Sequence, residues 1–590
     1  MNTISIREII LSKRPSFLSS FPSFIRNILF YLIEKIIHQK EMNGFIQAHS
    51  DKLNISFIDE VLEYLDVSFQ VSAKDRSKIP SEGKFIISAN HPLGGLDGLI
   101  LLKMIFEIRP DVKIVVNDIL MWLDNLKDLF IPFDVTNGKL KRENIDLIGK
   151  SLNNGEAVLL FPSGEVSRFS LKGIKDIKWN KGAIFFAEKY NAPVLPVYVH
   201  GRNSLLFYFL SAINKRLSSF LLPHELFNKK SKIVTIKVGD YIPASSFSSN
   251  IYKKKYQIDL LRKHVYLLPK GKKVYKTEKN VVHPVEKKTL KKQIYTSHFL
   301  DVTDDGKIVA EADFSGCPDV IKEIARLREI TFRKVGEGTG NKLDIDKFDK
   351  DYKHILLWDE KELEIAGAYR LGVCKSIIEK NGLPGLYTNS LFSFSQQFLN
   401  LLPNSIELGR SFIQSRYWTT NALDYLWRGI GKFIQNNPGI RYMFGGASIS
   451  SSYSDEAKSL IVFFYNKWFG KPGFVQARNK YVISVGIEKE MKNCFNSDNY
   501  KSELITLKNR LKFLGYSIPT FYKQYSDLCE KDGVSFLDFA VDTNFNNCVD
   551  GLILIDITKI KASKKGRYLA ENEKFNQRNP LQTQYIVSNL

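Results

Sequence analysis

The chain alternates short, wholly apolar runs with longer stretches in which apolar residues recur every three or four positions. That is the pattern of buried strands separated by amphipathic helices. In the first half, runs at 85–89, 112–116, 158–161, 194–199 and 232–238 predict strands. Helices are predicted at 46–69, 98–108, 143–153 and 180–190. Strands alternating with helices predict an α/β layered domain. The second half reads differently. A helix is predicted over 319–333, with Ile321, Ile324, Leu327 and Ile330 near one face, followed by a hairpin over 354–371. A polar–apolar alternating strand at 405–413, a helix at 421–435 and a strand at 442–449 that runs into a Gly turn complete an α+β pattern.

Between the halves, residues 252–292 hold fourteen Lys or Arg against Asp259, Glu278 and Glu286. Charge without sustained period predicts a helix tail and then a basic linker over 251–305. Domains are expected at 1–250 and 306–590, the latter with a core at about 309–485 and a C-terminal extension.

Composition narrows the partners. The 590 residues are 44% apolar, enough for full cores, and the net charge of +22 favours a partner with a negative surface. Anionic lipid, nucleic acid and an acidic carrier protein all qualify. No zinc-finger spacing, RNP motif or basic helix-turn-helix is present, which argues against nucleic acid. Five scattered cysteines without a CxxC suit a reducing, cytoplasmic compartment. Within the stretch 17–37, starting at Phe17, the apolar run 28–33 is too short to span a bilayer, and Arg26, Glu34 and Lys35 interrupt it. The stretch reads equally as a helix lying in a membrane interface or as a first core helix. A second apolar stretch with embedded cations, 205–222 including Lys215, Arg216 and Phe220, suits a phospholipid surface or a lid.

Two turns carry candidate chemistry. The strand at 85–89 ends in Asn90-His91-Pro92-Leu93-Gly94-Gly95-Leu96-Asp97. An imidazole and a carboxylate delivered to one mouth are what a general base needs, because the carboxylate sets the tautomer and stabilises the imidazolium. A His in a turn beside a helix-capping Asp is the alternative reading. The strand at 158–161 ends in Phe161-Pro162-Ser163-Gly164-Glu165, with Arg168 beyond. Arg168 could hold a phosphate or simply sit in solvent. Glu165 could contact substrate or brace the loop.

These two blocks, followed by Pro193-Val194-Leu195-Pro196-Val197, resemble the glycerophosphate and lysophospholipid O-acyltransferase family. The resemblance implies acyl transfer from a thioester to a hydroxyl, with His91 as base, Asp97 orienting it, and Asn90, Gly94, Gly95, Phe161, Pro162, Ser163, Gly164, Glu165 and Arg168 around the substrate. Two departures stand out. Five residues separate His91 from Asp97 where the family has four, and Ser163 takes the usual Glu place. The acceptor is therefore expected to be something other than a glycerol phosphate.

In the second half, Arg328 with Phe332, Ala368-Tyr369-Arg370-Leu371, Glu407-Leu408-Gly409-Arg410-Ser411 and Phe444-Gly445-Gly446-Ala447-Ser448 resemble the hemolysin-like, ornithine-lipid branch of the GNAT-type N-acyltransferases. The likeness implies that Glu407 takes a proton or binds an ammonium. It also implies that Arg370 and Arg410 hold a carboxylate or phosphate; a structural Glu–Arg pair is the alternative. Together the halves resemble bifunctional ornithine-lipid (aminolipid) synthases. That pairing implies no metal or resident cofactor, an acyl-acyl carrier protein or acyl-CoA donor, and ornithine or glycine as acceptor. It further implies a peripheral position on the anionic, cytoplasmic face of the inner membrane. A glycerophospholipid acyltransferase with an accessory domain and a non-catalytic membrane scaffold are the competing readings.

Overall fold

The structure is a computed structural model that describes residues 4–13, 21–133, 142–170, 173–214, 218, 221–247 and 253–569. The start of the N-terminal apolar stretch (17–20) and Lys215, Arg216 and Phe220 of the second lie outside these residues. The chain divides into two units, Met1–Asn280 and Val281–Leu590.

The first unit is built on a seven-stranded sheet. Its strands are β1 (Ser68–Gln70), β2 (Phe85–Ala89), β3 (Val112–Asn117), β4 (Phe130–Phe133), β5 (Ala157–Leu160), β6 (Val194–His200) and β7 (Ile233–Val238), ordered β1-β7-β6-β2-β5-β3-β4. All pairs are parallel except β6 with β7. Every residue of β2 is buried, as expected for a parallel strand covered on both faces. β2 lies between β5 and β6, so the carboxyl ends of these three strands open on one edge, where open α/β sheets place their sites.

Helix α1 (Ser23–Ile36) buries Phe30 but turns Phe24, Ile28, Tyr31 and Leu32 outward, between 46% and 64% exposed. Of the two readings of this stretch, its apolar row faces solvent. α2 (Gly95–Phe106) packs Leu96, Ile100, Leu101 and Met104 beneath the sheet. α3 (Leu205–Ile213) buries Phe207 and Tyr208 but leaves Leu205, Leu206, Phe209 and Ile213 exposed. α4 (Leu222–Phe227) follows. No helix among the described residues is long and apolar enough to cross a membrane.

The expected linker at 251–305 is corrected by the structure. α5 (Lys254–Leu267) buries Ile258, Leu261 and Val265 in the first unit's core, and Tyr241 bridges Glu278. Residues Lys287–Thr296 form a helix that buries Leu290 and Ile294 in the second unit. The lysines occupy the outer faces of these helices, and their density masks an apolar period of three to four.

The second unit holds an eight-stranded sheet. Its strands are β8 (His298–Val302), β9 (Ile308–Ala312), β10 (Lys353–Asp359), β11 (Glu364–Val373), β12 (Ser405–Ile413), β13 (Tyr442–Ile449), β14 (Val534–Asp542) and β15 (Cys548–Asp556), ordered β8-β9-β10-β11-β12-β13-β15-β14. The unit thus starts one helix and one strand earlier than residue 306. The neighbours β12 and β13 are parallel and pair only across Ser405–Glu407 with Tyr442–Phe444. Beyond that point β13 stays bonded to β15, whereas β12 shifts register against β11 and passes through Arg410 at a left-handed φ of 46°. The two strands therefore separate in mid-sheet. α6 (Pro318–Lys334) and α7 (Ala422–Gln435) cover the sheet.

Candidate active sites

His91 leaves the end of β2 on a pinned backbone. Its C=O accepts the Ser167 N–H at 2.8 Å, and its N–H points at Asp176 Oδ1 3.4 Å away. Asp176 is itself fixed by the Ser167 hydroxyl (2.5 Å) and the Trp179 indole N–H (2.8 Å). Gly94 then turns the chain at φ 82°, ψ −135°, a conformation that glycine reaches without a Cβ clash, and α2 begins. The sharp turn absorbs the extra residue of the first block. Asp97, in the first turn of α2, brings Oδ2 to 3.1 Å from His91 Nδ1 and accepts the Leu93 N–H at 2.8 Å.

Asp97 is fully buried, and burial pushes its carboxyl up while the His91 hydrogen bond and charge and the Leu93 N–H pull it down. Phe161, at the end of β5, stacks on the imidazole with ring centroids 4.0 Å apart and planes at 24°. With Nδ1 committed to Asp97 and one face to Phe161, the ring is held in one orientation with Nε2 available for a proton. The side chain is 18% exposed, so the base is reachable but sheltered. A Cβ on Gly94 would meet Leu222 at 3.3 Å and force a strained φ. Gly94→Ala is accordingly expected to cost about 1–3 kcal/mol and to slow turnover at this site at least tenfold by loosening the dyad. Thermal unfolding and initial rates check the two effects.

The other expected residues of this site mostly build it. Asn90 is buried and turns both ends of its amide to Val199, donating to the C=O at 2.9 Å and accepting the N–H at 2.7 Å, so it ties β2 to β6 instead of facing substrate. Ser163 donates to the Glu165 C=O, Gly164 takes φ 64°, and the Pro162 C=O accepts the Asn180 N–H, which together shape the second turn. Gly95 has open space where a Cβ would be. Arg168 is buried, not solvated: it donates to Glu165 at 3.0 Å, to Ser218 at 2.9 Å and to Ser211 on α3. It therefore fastens the apolar α3 to the second turn. Asp176 carries no local sequence signal; its partners come from positions that only the fold assembles.

In the second unit, the expected roles of Glu407 and Arg370 are corrected. Glu407 is buried, and both its oxygens are occupied: Oε1 accepts the Thr388 N–H at 2.6 Å, and Oε2 accepts the Tyr387 N–H at 3.1 Å and the Tyr352 hydroxyl. It anchors the 387–388 turn and has no free face for an amine. Arg370 is 1% exposed and pairs with Asp346 at 2.7 Å and Asp349 at 3.4 Å. Arg328 joins the same cluster, bidentate to Asp349 at 2.8 and 3.0 Å. The acids at 344, 346 and 349 are closely spaced in the sequence, but only the fold brings the arginines to them.

Arg410 is different. Its nearest acids, Asp344 and Asp346, are 3.6 and 4.0 Å away, and Nε has no hydrogen-bond partner. Its guanidinium lies over Phe545 and Tyr387, 4.3 and 4.9 Å from their centroids. Burial alone would lower its pKa, but the acids around it hold it above the usual arginine value. It stands where β12 leaves β13. Among the described residues no cluster of His, Cys, Asp or Glu is arranged to hold a metal ion.

Known proteins match both units. An Acyltransferase family model covers residues 8–274, and an Acetyltransferase (GNAT) domain model covers 327–428. A glycine N(alpha)-acyltransferase from Phocaeicola vulgatus is 31% identical over 302 residues, spanning 49% of this chain and 92% of the relative. A lyso-glycine lipid O-acyltransferase from Bacteroides thetaiotaomicron is 32% identical over 254 residues, spanning 42% of this chain and 91% of the relative. This chain belongs to the acyltransferases of lipid biosynthesis. As a bifunctional member it joins an acyltransferase unit to a GNAT unit, each of which exists in relatives as a nearly whole protein.

Proposed function

We propose that the chain makes a diacylated aminolipid in two steps, with glycine as the acceptor. The second unit transfers a 3-hydroxyacyl group from acyl carrier protein to the α-amine. The first unit then esterifies the new 3-hydroxyl. The observation that carries this reading is the His91–Asp97 dyad at 3.1 Å, set at the carboxyl edge of a parallel sheet in a chain that also carries a GNAT unit. His91 Nε2 takes the proton of the hydroxyl as its oxygen attacks the thioester carbonyl. Asp97 holds the tautomer and stabilises the imidazolium, and the thiolate leaves with the proton returned to it. Both relatives act on glycine or a glycine lipid by name, which favours glycine over ornithine. The net charge of +22 suits an acidic carrier and the anionic cytoplasmic face of the inner membrane.

The test is expression in a host lacking aminolipids, with total lipids read by mass spectrometry. A new N-acyl, O-acyl glycine lipid supports the reading; unchanged lipids, or new glycerophospholipid species alone, overturn it.

The exposed apolar residues of α1 support a peripheral membrane position. Phe24→Asp combined with Leu32→Asp should weaken binding to anionic vesicles at least tenfold, about 1.4 kcal/mol, in co-sedimentation.

A further inference from the structure

Where β12 and β13 part, the second unit holds an acidic group that the steps above leave unused. At Gly445 the strands still touch, since a Cβ there would lie 2.1 Å from the Leu408 C=O. One residue on, Gly446 is exposed, and the three atoms nearest its missing side chain, Oδ2 among them, belong to Asp550, at 3.7 Å. Asp550, opposite Ser448 on β15, is 3% exposed, and its Oδ1 has no hydrogen-bond partner. The Asp550 carboxyl thus turns Oδ2 toward the bare glycine and keeps Oδ1 unpartnered in the interior, an arrangement that leaves it able to back a cation.

Glu337 lies in the turn after α6, near enough to Asp550 and Arg410 for both charges to act on its carboxyl. Its N–H donates to the Phe332 C=O at 2.8 Å. The preceding Gly336 C=O accepts from Asn546 at 2.7 Å and Ser451 at 3.0 Å, and Glu329 fastens Thr339 and Gly340. The turn is thus pinned to the β14–β15 hairpin and to the end of β13. Phe545 packs edge-on against Phe332 at 5.0 Å and carries Arg410 on its face, so a single ring joins the Glu337 turn to the arginine. The Glu337 carboxyl has no hydrogen bond or ion pair among the described residues, in contrast to Glu407, Asp344, Asp346 and Asp349.

We propose that Glu337, backed by Asp550, binds the ammonium of the amino-acid acceptor and takes its proton, while Arg410 holds the acceptor's carboxylate. This rests on the N-acyltransferase reading above and supplies the base that Glu407 cannot be. In the step, the ammonium gives one proton to the Glu337 carboxylate and its lone pair attacks the thioester carbonyl carbon. The C–N bond forms, the tetrahedral intermediate expels the thiolate, and the second nitrogen proton goes to that sulfur. Glu337 returns its proton to water.

Burial, and then the Asp550 charge, raise the Glu337 carboxyl to about 8, with Arg410 acting the other way; burial raises Asp550 to about 6. Tyr453, Tyr522 and Cys548 are the other titratable groups that feel Glu337. Since the base must be ionised, kcat/KM for glycine should rise with pH through about 8.

The experiment uses the full chain with 3-hydroxyacyl-acyl carrier protein and glycine. Glu337→Gln should lower kcat/KM for glycine about a hundredfold and remove the rising limb. Its KM for the thioester and its O-acylation of supplied lyso-lipid should stay at wild-type values. Glu337→Asp should restore part of the rate with the limb moved. Wild-type N-acylation with Glu337→Gln within twofold and the limb intact overturns this proposal alone. A wild-type chain that forms no N-acyl amino acid overturns the N-acyltransferase reading and this proposal with it. If Glu337→Gln fails to fold, the limb in Glu337→Asp decides, and an unmoved limb is the overturning result.

Discussion

Replacing His91 by alanine is expected to lower O-acylation roughly a thousandfold, the scale of a lost general base, and to leave the mono-acylated aminolipid accumulating. The imidazole has two structural contacts, Asp97 Oδ2 and the Phe161 face, so little of the core depends on it. Its removal leaves the buried Asp97 with the Leu93 N–H alone, a cost of about 1–3 kcal/mol, which makes the assay temperature part of the measurement. Rates taken well below the unfolding midpoint separate lost chemistry from lost fold. Asp97→Asn sharpens the result. The amide oxygen can still accept from Nδ1, but it brings no charge to an imidazolium, so the rate should fall while the ring stays in place. In cells, mass spectrometry of the lipids should show lyso product without diacyl product. Normal diacyl lipid in the His91→Ala strain would remove the dyad from the mechanism.

The first site is legible along the chain because its chemistry is local. His91 and Asp97 are six positions apart, flanked by an apolar strand and an apolar helix, and the only geometric question is whether the Gly94–Gly95 turn can bring them together. The role of the neighbours is not legible in the same way. The family resemblance puts Asn90 at the substrate, yet it pairs with Val199, 109 residues away. The same distance effect hides the role of Glu407, whose partners at 387–388 and 352 show only in the fold. A carboxylate in a polar–apolar strand has the same local pattern whether it is free or fully bonded. Glu337 presents the opposite problem. It sits in a glycine-rich turn with no local chemical signal, and its importance comes from the charges of Asp550 and Arg410, which lie on strands far along the chain. The basic joint is obscured for a different reason: lysine density dominates the stretch, although the period of Ile258, Leu261 and Val265 is present in the sequence throughout.

Asp349→Asn is expected to destabilise the second unit by about 3–5 kcal/mol, because it removes the charge that two buried arginines share. Arg328 and Asp349 are each 1% exposed and bonded through two oxygens, and Arg370 reaches the same carboxylate at 3.4 Å. His354, buried beside it at 3.5 Å, cannot compensate: burial drives its pKa down to about 3, so it stays neutral. An asparagine would keep the size and one acceptor but leave two guanidinium groups short of a counter-charge. Burial opposes ionisation of Asp349, but the Arg328 and Arg370 charges outweigh it and hold the carboxyl far below the usual range. A depressed folded-state pKa stabilises above the unfolded value, near 3.9, and that stability is lost as pH falls below it toward the folded value. The variant's deficit in denaturant unfolding should therefore be full at pH 7 and shrink only under strongly acid conditions. O-acylation of supplied lyso-lipid, carried by the other unit, should survive at temperatures where N-acylation is gone. A variant as stable as the parent at pH 7 would show that Asp344 and Asp346 suffice for the three arginines and that Asp349 is not the keystone of the cluster.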